Sequence, residues 1–253
     1  MKYAFVGGKV LSGKKDMTPE ENLCVLIDGE KIEDVLPVRE ADLSGYKIID
    51  LKGKYVMPGL INMHVHLAGN GKPQKKQRDN AKLVKTIMST ALTRAVAYKM
   101  VCGFAKDELL SGVTTIRTVG GLADFDTRLR EDILSGRKVG PRILAANMGI
   151  SVPGGHMAGS VAVAADSVES ALAHLEKCEK EKVDLVKLMI TGGVLDAKEK
   201  GVPGELKMSP EMVKAVCDKA HEAGYTVAAH VESPAGVKVA LENGVDSIEH
   251  GAK

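Results

Sequence analysis

The chain has 253 residues, of which 44% are hydrophobic, 27% charged and 3% aromatic, and its formal net charge is +2. This composition is ordinary for a globular protein, and the small charge argues against a nucleic-acid or anionic-membrane partner. Four widely spaced cysteines without a CxxC pair favour reduced thiols and a cytoplasmic location over a disulfide framework. The first residues lack the pattern of a signal peptide, and no apolar run has the length of a membrane span, so we expect a soluble protein without a membrane partner.

Residues 1–57 are predicted to be rich in β-strands. Short apolar runs such as AFVGGKVL and YKIIDLKGKYVMP are separated by Gly, Asp and Pro, and no helical periodicity is present. Asp28-Gly29 lies between two of these runs and is typical of a hairpin turn. We therefore treat residues 1–57 as a first domain.

Residues 58–253 are predicted to alternate between strands and helices. Helices are predicted at 79–110, 126–134 and 167–182 and after Ser209-Pro210 and Ser233-Pro234, where Ser is a good N-cap and Pro suits the first helical position. The predicted strands are VMPGLINMHVHL, GVTTIRTVGG, PRILAANMGI, VDLVKLMITGG, TVAAHV and GVDSIEHGA. Nearly continuous apolar strands separated by helices indicate an α/β fold with a parallel sheet. A (β/α) barrel of the TIM type has eight strands, so about six strands predict an incomplete barrel. A doubly wound nucleotide-binding sheet is the alternative fold, but no GxGxxG or GxxxxGK[ST] motif follows a strand.

The pair His64 and His66 is the first candidate for chemistry. Residues two apart on a strand point to the same face, and active sites of (β/α) barrels lie at the carboxyl ends of the strands. Neutral imidazole is the commonest metal ligand among side chains, although two polar residues at a strand end are an equally simple interpretation of HxH alone.

His230 and His250 occupy the same topological position, each ending a predicted apolar strand. Four converging imidazoles are hard to explain by packing, whereas a shared cation favours their neutral form. His174 and His221 fall inside predicted helices, and we expect them to be ordinary surface or boundary residues.

Lys187 lies inside an apolar predicted strand, where a buried ammonium is costly. One interpretation is that a carboxylate faces it across the barrel. The other is that its amine is neutral and carbamylated, and bridges two metal ions.

The motifs MPGLINMHVHL, VKLMITGGV, AAHVES and SIEHG together resemble the amidohydrolase superfamily, in particular its imidazolonepropionase-like and Xaa-Pro dipeptidase-like branch. The resemblance covers essentially the whole chain and implies that the N-terminal residues form a small β-sandwich portion beside the barrel. It implies two divalent ions, usually Zn²⁺. The more buried ion would be held by His64 and His66 and the other by His230 and His250, with carbamylated Lys187 between them. It further implies that His156, in SVPGGHMAG, lies near the substrate.

The resemblance implies hydrolysis of amide-type C–N bonds, most plausibly in dipeptides of the Xaa-Pro kind or in N-acyl amino acids, by a hydroxide that bridges the two metals. The family's acid/base is an aspartate at the end of the eighth strand, which would lie beyond residue 253, so no catalytic residue is assigned within the chain. Asp246 precedes its strand and is expected at the opposite end of the barrel, and neither Asp196 nor Glu232 is given that role by the family pattern.

We accordingly expect the chain to be a fragment that forms homo-oligomers or depends on the missing C-terminal strands. Two alternatives to an amidohydrolase of dipeptides stay open: a metal-binding fragment without turnover, and a hydrolase of cyclic amides. The remaining features have simple interpretations. The basic stretch 71–82 is predicted to be solvated, Arg117 and Arg142 to form internal ion pairs rather than substrate contacts, and four methionines to fill the core: Met57, Met63, Met100 and Met189.

Overall fold

The computed structural model describes residues 1–69, 71, 79–194, 197 and 203–251. The chain divides into two compact units, Met1–Gly59 and Leu60–Lys253. Within the described residues, none of the helices has both the length and the apolar character that a membrane crossing requires. Asp196 and most of the basic stretch 71–82 lie outside the described residues.

The first unit is built from short strands. They are β1 (Lys2–Val6), β2 (Lys9–Val10), β3 (Leu23–Asp28), β4 (Lys31–Pro37), β5 (Lys47–Asp50) and β6 (Tyr55–Val56), with a 3₁₀ turn at Val38–Glu40. One sheet has the order β4-β3-β1-β5, and β2 pairs with β6. The predicted hairpin is confirmed, because Asp28 pairs with Lys31 and Gly29 adopts a φ of +60° in the two-residue loop between β3 and β4. That this unit is a β-sandwich portion stays a prediction.

The second unit alternates strands with helices. Its strands are β7 (Leu60–Val65), β8 (Val113–Thr118), β9 (Arg142–Leu144), β10 (Gly149–Ser151), β11 (Ala162–Ala164), β12 (Leu185–Met189), β13 (Thr226–Val231) and β14 (Ser247–His250). Its helices are α1 (Asn80–Ile87), α2 (Ala91–Leu110), α3 (Phe125–Leu134), α4 (Val168–Lys180), α5 (Pro210–Glu222) and α6 (Pro234–Glu242). The strands form two sheets, β7-β8-β9 and β11-β10-β12-β13-β14, in which every pair is parallel. The α/β fold with parallel sheets is therefore present.

Two predicted elements are divided in the structure. The helical stretch predicted at 79–110 is present but consists of two helices, because α1 ends before Ser89 and the Thr90 side chain caps α2 by accepting a hydrogen bond from the Thr93 amide. The single strand PRILAANMGI is wrong. Asn147 adopts a φ of +54°, which breaks the extended backbone between β9 and β10 and leaves the two strands in different sheets.

The side chains of the five-stranded sheet alternate between two environments. Val186 and Leu188 of β12 pack with Val227 and Ala229 of β13 in the large core that lies against α4, α5 and α6. Leu185 points the other way, into a small apolar layer shared with Ala228, Val119 and Ala146. Because Lys187 is two residues after Leu185, it projects on the same face as Leu185, above this layer.

The predicted capping residues are confirmed, since the side chains of Ser209 and Ser233 accept hydrogen bonds from backbone amides in the first turns of α5 and α6. The prediction that four methionines fill the core is wrong for three of them. Met189 is buried, but Met57, Met63 and Met100 are substantially exposed. An apolar run identifies a strand or helix but not which of its faces is covered.

Candidate metal centre

His64 and His66 lie at the carboxyl end of β7 with their Nε2 atoms 3.2 Å apart. In each ring the other nitrogen faces an oxygen: Nδ1 of His64 is 2.7 Å from a carboxylate oxygen of Glu249, and Nδ1 of His66 is 2.9 Å from the Gly120 carbonyl. Because these oxygens accept hydrogen bonds, each Nδ1 carries a proton, and in the neutral form of the two rings the Nε2 lone pairs face each other. Two facing acceptors repel unless a cation lies between them. Two imidazole nitrogens on one tetrahedral Zn²⁺ would be about 3.3 Å apart, so this pair fits one metal ion.

Lys187 projects from the middle of β12 and is only 1% exposed. Its Nζ has no hydrogen-bond partner among the described residues. Burial lowers the pKa of this amine to about 7, while the Glu249 charge opposes that shift and the Arg117 charge adds to it. The expected facing carboxylate is therefore present as Glu249, but it makes no hydrogen bond to Lys187.

A second group of potential ligands lies at the ends of β13 and β14. His230, Glu232 and His250 each offer a ligand atom, and these atoms lie within 4.8 Å of one another. Nε2 of His230 is buried without a hydrogen-bond partner in the described part of the chain, and the nearest carboxylate oxygen of Glu232 is 3.8 Å away. Burial is the main cause that lowers the pKa of His230 to about 3, and the charges of His156, Lys187 and His250 add to it.

The His64–His66 pair lies next to the group formed by His230, Glu232 and His250. The ring centroids of His64 and His250 are 4.8 Å apart, and those of His230 and His250 are 4.9 Å apart. Burial lowers the pKa of His66 to about 4 and also lowers the pKa of His250, and in both cases the Lys187 charge contributes. The structure thus brings the five predicted ligands, His64, His66, Lys187, His230 and His250, into one cluster, in which the Lys187 amine has no hydrogen-bond partner among the described residues.

His156 lies in the loop after β10 and stacks on His230, with ring centroids 4.0 Å apart and an angle of 9° between the planes. Gly193 makes this approach feasible, since a Cβ there would come within 2.7 Å of the His156 ring. His156 is therefore in contact with His230, one of the candidate metal ligands.

Two residues of the cluster were not assigned to it from the sequence. Glu249 belongs to β14, and Glu232 follows β13. Alternation along β14 predicts that Glu249 and His250 face opposite sides of the strand, but His250 adopts a φ of +71°, and both side chains reach the site. Burial alone would raise the pKa of Glu249, but the hydrogen bond from His64 and the charges of Lys187 and Arg117 bring it to about 2.

The other predicted residues have different outcomes. Arg117 forms the expected internal ion pair, with Glu249, whereas Arg142 is exposed and the expected internal ion pair is not found for it among the described residues. His221 is at the surface as expected, paired with Asp246 at 2.8 Å. The surface prediction is wrong for His174, which is buried and lies 3.0 Å from the Met148 carbonyl.

Comparison with known proteins gives related enzymes. A structure described as a putative prolidase from Bifidobacterium longum is 34% identical with a TM-score of 0.77, and 99% of this chain aligns with 54% of that one. A Xaa-Pro dipeptidase with bound methionine is 30% identical with a TM-score of 0.79, and 99% of this chain covers 62% of it. Ochratoxinase from Aspergillus niger is 23% identical in an alignment 219 residues long that covers 77% of this chain and 43% of ochratoxinase.

This chain therefore spans roughly half of the length of these relatives. The model of the amidohydrolase family matches residues 55–253, which is well over half of the sequence. The chain belongs to the amidohydrolase family.

Proposed function

We propose that the chain carries the metal site of a two-metal hydrolase that cleaves amide-type C–N bonds in dipeptides of the Xaa-Pro kind or in N-acyl amino acids. The observation that carries this proposal is the pair of facing Nε2 atoms on His64 and His66, close to the amine of Lys187, which has no hydrogen-bond partner among the described residues. Similarity to a Xaa-Pro dipeptidase over 99% of the chain supports the substrate class.

In this proposal His64 and His66 hold one divalent ion, most plausibly Zn²⁺, and His230 and His250 hold a second. Glu232 has a ligand atom in the same group and is a candidate additional ligand of the second ion. The low pKa values of His66 and His230 keep these rings neutral, which is the form that binds a metal.

Lys187 is proposed to bridge the two ions as a carbamate. A pKa of about 7 leaves a large share of the amine neutral at physiological pH. The neutral nitrogen can add to carbon dioxide, which forms one N–C bond and releases one proton, and the product is an anionic ligand with two oxygens. This change would also remove the buried unpaired amine, which is costly to keep in an apolar strand.

When bound, the ions would polarise the scissile carbonyl and lower the pKa of water toward about 7. The chain's own residues contribute position and charge. Two neighbouring strand ends hold His230 and His250, and His156 stacks on His230, beside the candidate ligands, where it is proposed to contact the substrate. No residue that the structure describes is assigned as the acid that protonates the leaving nitrogen.

We further propose that the two parallel sheets are parts of one (β/α) barrel, with residues 1–57 as a β-sandwich portion. Leu60, Ile61 and Met63 of β7 are substantially exposed, which supports coverage of this strand by further strands or by a second copy of the chain. Size-exclusion chromatography with light scattering should therefore detect association, and a well-behaved monomer would contradict this part of the proposal.

The test is metal analysis of the chain after growth with zinc, followed by assays with Xaa-Pro dipeptides, N-acyl amino acids and a cyclic amide. Two equivalents of metal with cleavage of a linear amide support the proposal. Two equivalents without turnover on any substrate favour the metal-binding fragment, and cleavage of the cyclic amide alone favours the cyclic-amide hydrolase. Less than one equivalent, with no difference between the unaltered chain and His64→Ala, would falsify the metal site.

A further inference from the structure

Glu249 connects β14 of one sheet with the neighbouring strands β7 and β8 of the other sheet. It belongs to β14, yet its Oε2 atom accepts a hydrogen bond from Nδ1 of His64 on β7 at 2.7 Å. Its Oε1 atom accepts from Nη2 of Arg117 on β8, and the Ser247 hydroxyl lies 3.4 Å from the same oxygen. The side chain is 7% exposed, so water competes little for these contacts.

Arg117 fixes the orientation of that carboxylate. Its Nε donates to the Met63 carbonyl at 2.8 Å and its Nη1 to the Ser247 hydroxyl at 3.1 Å, in addition to the contact with Glu249. A planar guanidinium with three separate acceptors cannot rotate without losing at least one of them. The Glu249 carboxylate is therefore held with one oxygen toward Arg117 and the other toward His64.

The two histidines of the pair are oriented in different ways. The backbone carbonyl of Gly120 fixes the Nδ1 proton of His66, and no side-chain substitution removes this acceptor. The corresponding acceptor for His64 is the Glu249 side chain. A carboxylate on the far nitrogen of a ligand imidazole selects the tautomer and orients the ring, and its loss typically lowers metal affinity by about 10–100-fold.

We infer that Glu249, anchored by Arg117, is a positioning residue that holds His64 as an Nε2 ligand and sets the affinity of the ion at His64 and His66. This inference rests on the proposed function. It also accounts for Lys187. The Glu249 charge acts on this amine, but both Glu249 oxygens already accept hydrogen bonds from other residues, and the amine has no hydrogen bond in the described part of the chain.

The central test is Glu249→Gln, with zinc affinity measured by competition with a chelator and the site observed by the absorption spectrum of bound Co²⁺. The amide cannot accept from both His64 and Arg117, so one ring orientation or tautomer is lost. We expect the affinity of the ion at His64 and His66 to fall by about 10–100-fold, with a changed Co²⁺ spectrum. The matched control is Asp246→Asn, which alters a carboxylate–histidine pair at the other end of the strands and should leave affinity and spectrum unchanged.

The same substitution in a His64→Ala background distinguishes positioning from a general structural role. If Glu249 acts through His64, adding Glu249→Gln to the His64→Ala variant leaves the metal affinity of that variant unchanged, because the effects of residues acting through one contact are not additive. A fall in affinity of similar size in both backgrounds would overturn the inference.

Arg117→Lys is a second variant in case Glu249→Gln does not fold. It keeps a positive charge near Glu249 but cannot hold three acceptors in one plane, and we expect a smaller loss of affinity and the same kind of spectral change. Affinities equal to that of the unaltered chain in all folded variants overturn the inference alone. Failure of the unaltered chain to bind any divalent ion overturns the proposed function and the inference with it.

Discussion

The two ends of the strand pair β13–β14 carry the same residue types in opposite circumstances. At the amino end, His221 and Asp246 pair at 2.8 Å, both are about 40% exposed, and Asp246 also accepts a hydrogen bond from the Val227 amide. At the carboxyl end, His230 is buried and its Nε2 has no partner in the described part of the chain. At the amino end the hydrogen-bonding groups are paired within the protein. At the carboxyl end a polar atom is buried at a cost in free energy that a bound cation would offset.

This contrast agrees with a general feature of (β/α) barrels, in which functional residues lie at the carboxyl ends of the strands and residues at the amino ends contribute to stability. The contrast also gives a criterion for recognising a metal-ligand histidine that goes beyond the presence of the residue. Here a histidine marks a ligand site only where its second nitrogen has no partner in the described part of the chain. Substitutions at the carboxyl end should therefore reduce metal binding without lowering stability. Substitutions at the amino end should lower stability without reducing metal binding.

Lys187→Met should have the largest effect, because it should lower activity while it raises the stability of the metal-free chain. We expect loss of the bridging ligand to lower any hydrolytic activity by more than the about 100-fold that loss of an outer-sphere partner costs. The metal-free chain should meanwhile become more stable by about 1–3 kcal/mol, because methionine replaces a buried amine without a partner among the described residues. Metal analysis, an amide-hydrolysis assay and thermal unfolding with a chelator check these outcomes.

The control for that substitution is Lys219→Met on the exposed side of α5, where the lysine pairs with Glu222. It should change neither metal content nor stability by a measurable amount. If Lys187→Met destabilises the metal-free chain as much as a typical core substitution does, the amine has a structural partner and the comparison between the two ends fails.

His230→Phe and His221→Phe form a matched pair at the two ends. Phenylalanine can keep the stack on His156 but cannot bind a metal, so His230→Phe should lose the second ion. His221→Phe should keep both ions and cost at most about 1 kcal/mol of unfolding free energy, since it removes one exposed pair. Equal metal content in the two variants would show that His230 is not a metal ligand.

Much of this cluster could be predicted from the sequence because strand ends and apolar runs are visible in it. His64, His66, Lys187, His230 and His250 each end or interrupt an apolar strand, and parallel strands bring such positions together. Glu249 could not be found in the same way. It is the neighbour of His250 on β14, where alternation predicts that only one of the two faces the site. Both side chains reach the site because His250 has a left-handed backbone, and a non-glycine residue gives no sign of this conformation in the sequence.

The errors have a common physical origin as well. Met63 and Met100 were expected in the core because they lie in apolar segments, and His174 was expected near the surface because it lies in an amphipathic helix. Periodicity locates an element, but coverage of each face depends on contacts between residues far apart in the sequence. The division of one predicted strand at Asn147 is a further case, since its side chain bonds to Thr127 and Glu181 rather than to the ladder.

Asp126 is a buried ionisable residue that is not among the candidate metal ligands, and it shows whether burial alone is enough to identify such a ligand. This carboxyl lies in the first turn of α3, after the carboxyl end of β8, and it is almost completely buried. Burial raises its pKa from 3.8 to about 6, although the Thr118 side chain opposes the shift. It is a buried acid at the functional end of a strand, yet it is not part of the histidine cluster.

We expect Asp126→Asn to change the pH dependence of stability and to leave metal content unchanged. Because the folded state holds this proton more tightly than the unfolded state, the unaltered chain loses stability as the pH rises from about 4 to about 6. The asparagine variant lacks this loss, so its advantage should grow across that window to at most about 3 kcal/mol. Denaturant unfolding at several pH values measures it, with Asp218→Asn on the surface of α5 as control. An advantage that does not vary between pH 4 and pH 7 would show that Asp126 keeps an ordinary pKa.

Asp246→Ala should have the smallest effect on the candidate site and a definite effect on stability. The substitution removes the acceptor for the His221 ring and leaves the Val227 amide at the start of β13 without its partner, which should cost about 1–3 kcal/mol. Metal content should not change, because Asp246 lies at the end of the strands opposite His230 and His250. Thermal unfolding and metal analysis of one preparation are sufficient to check both expectations. A loss of metal without a loss of stability would mean that the two ends are coupled through β13 and β14, and the division between a stabilising end and a metal-binding end would then have to be abandoned.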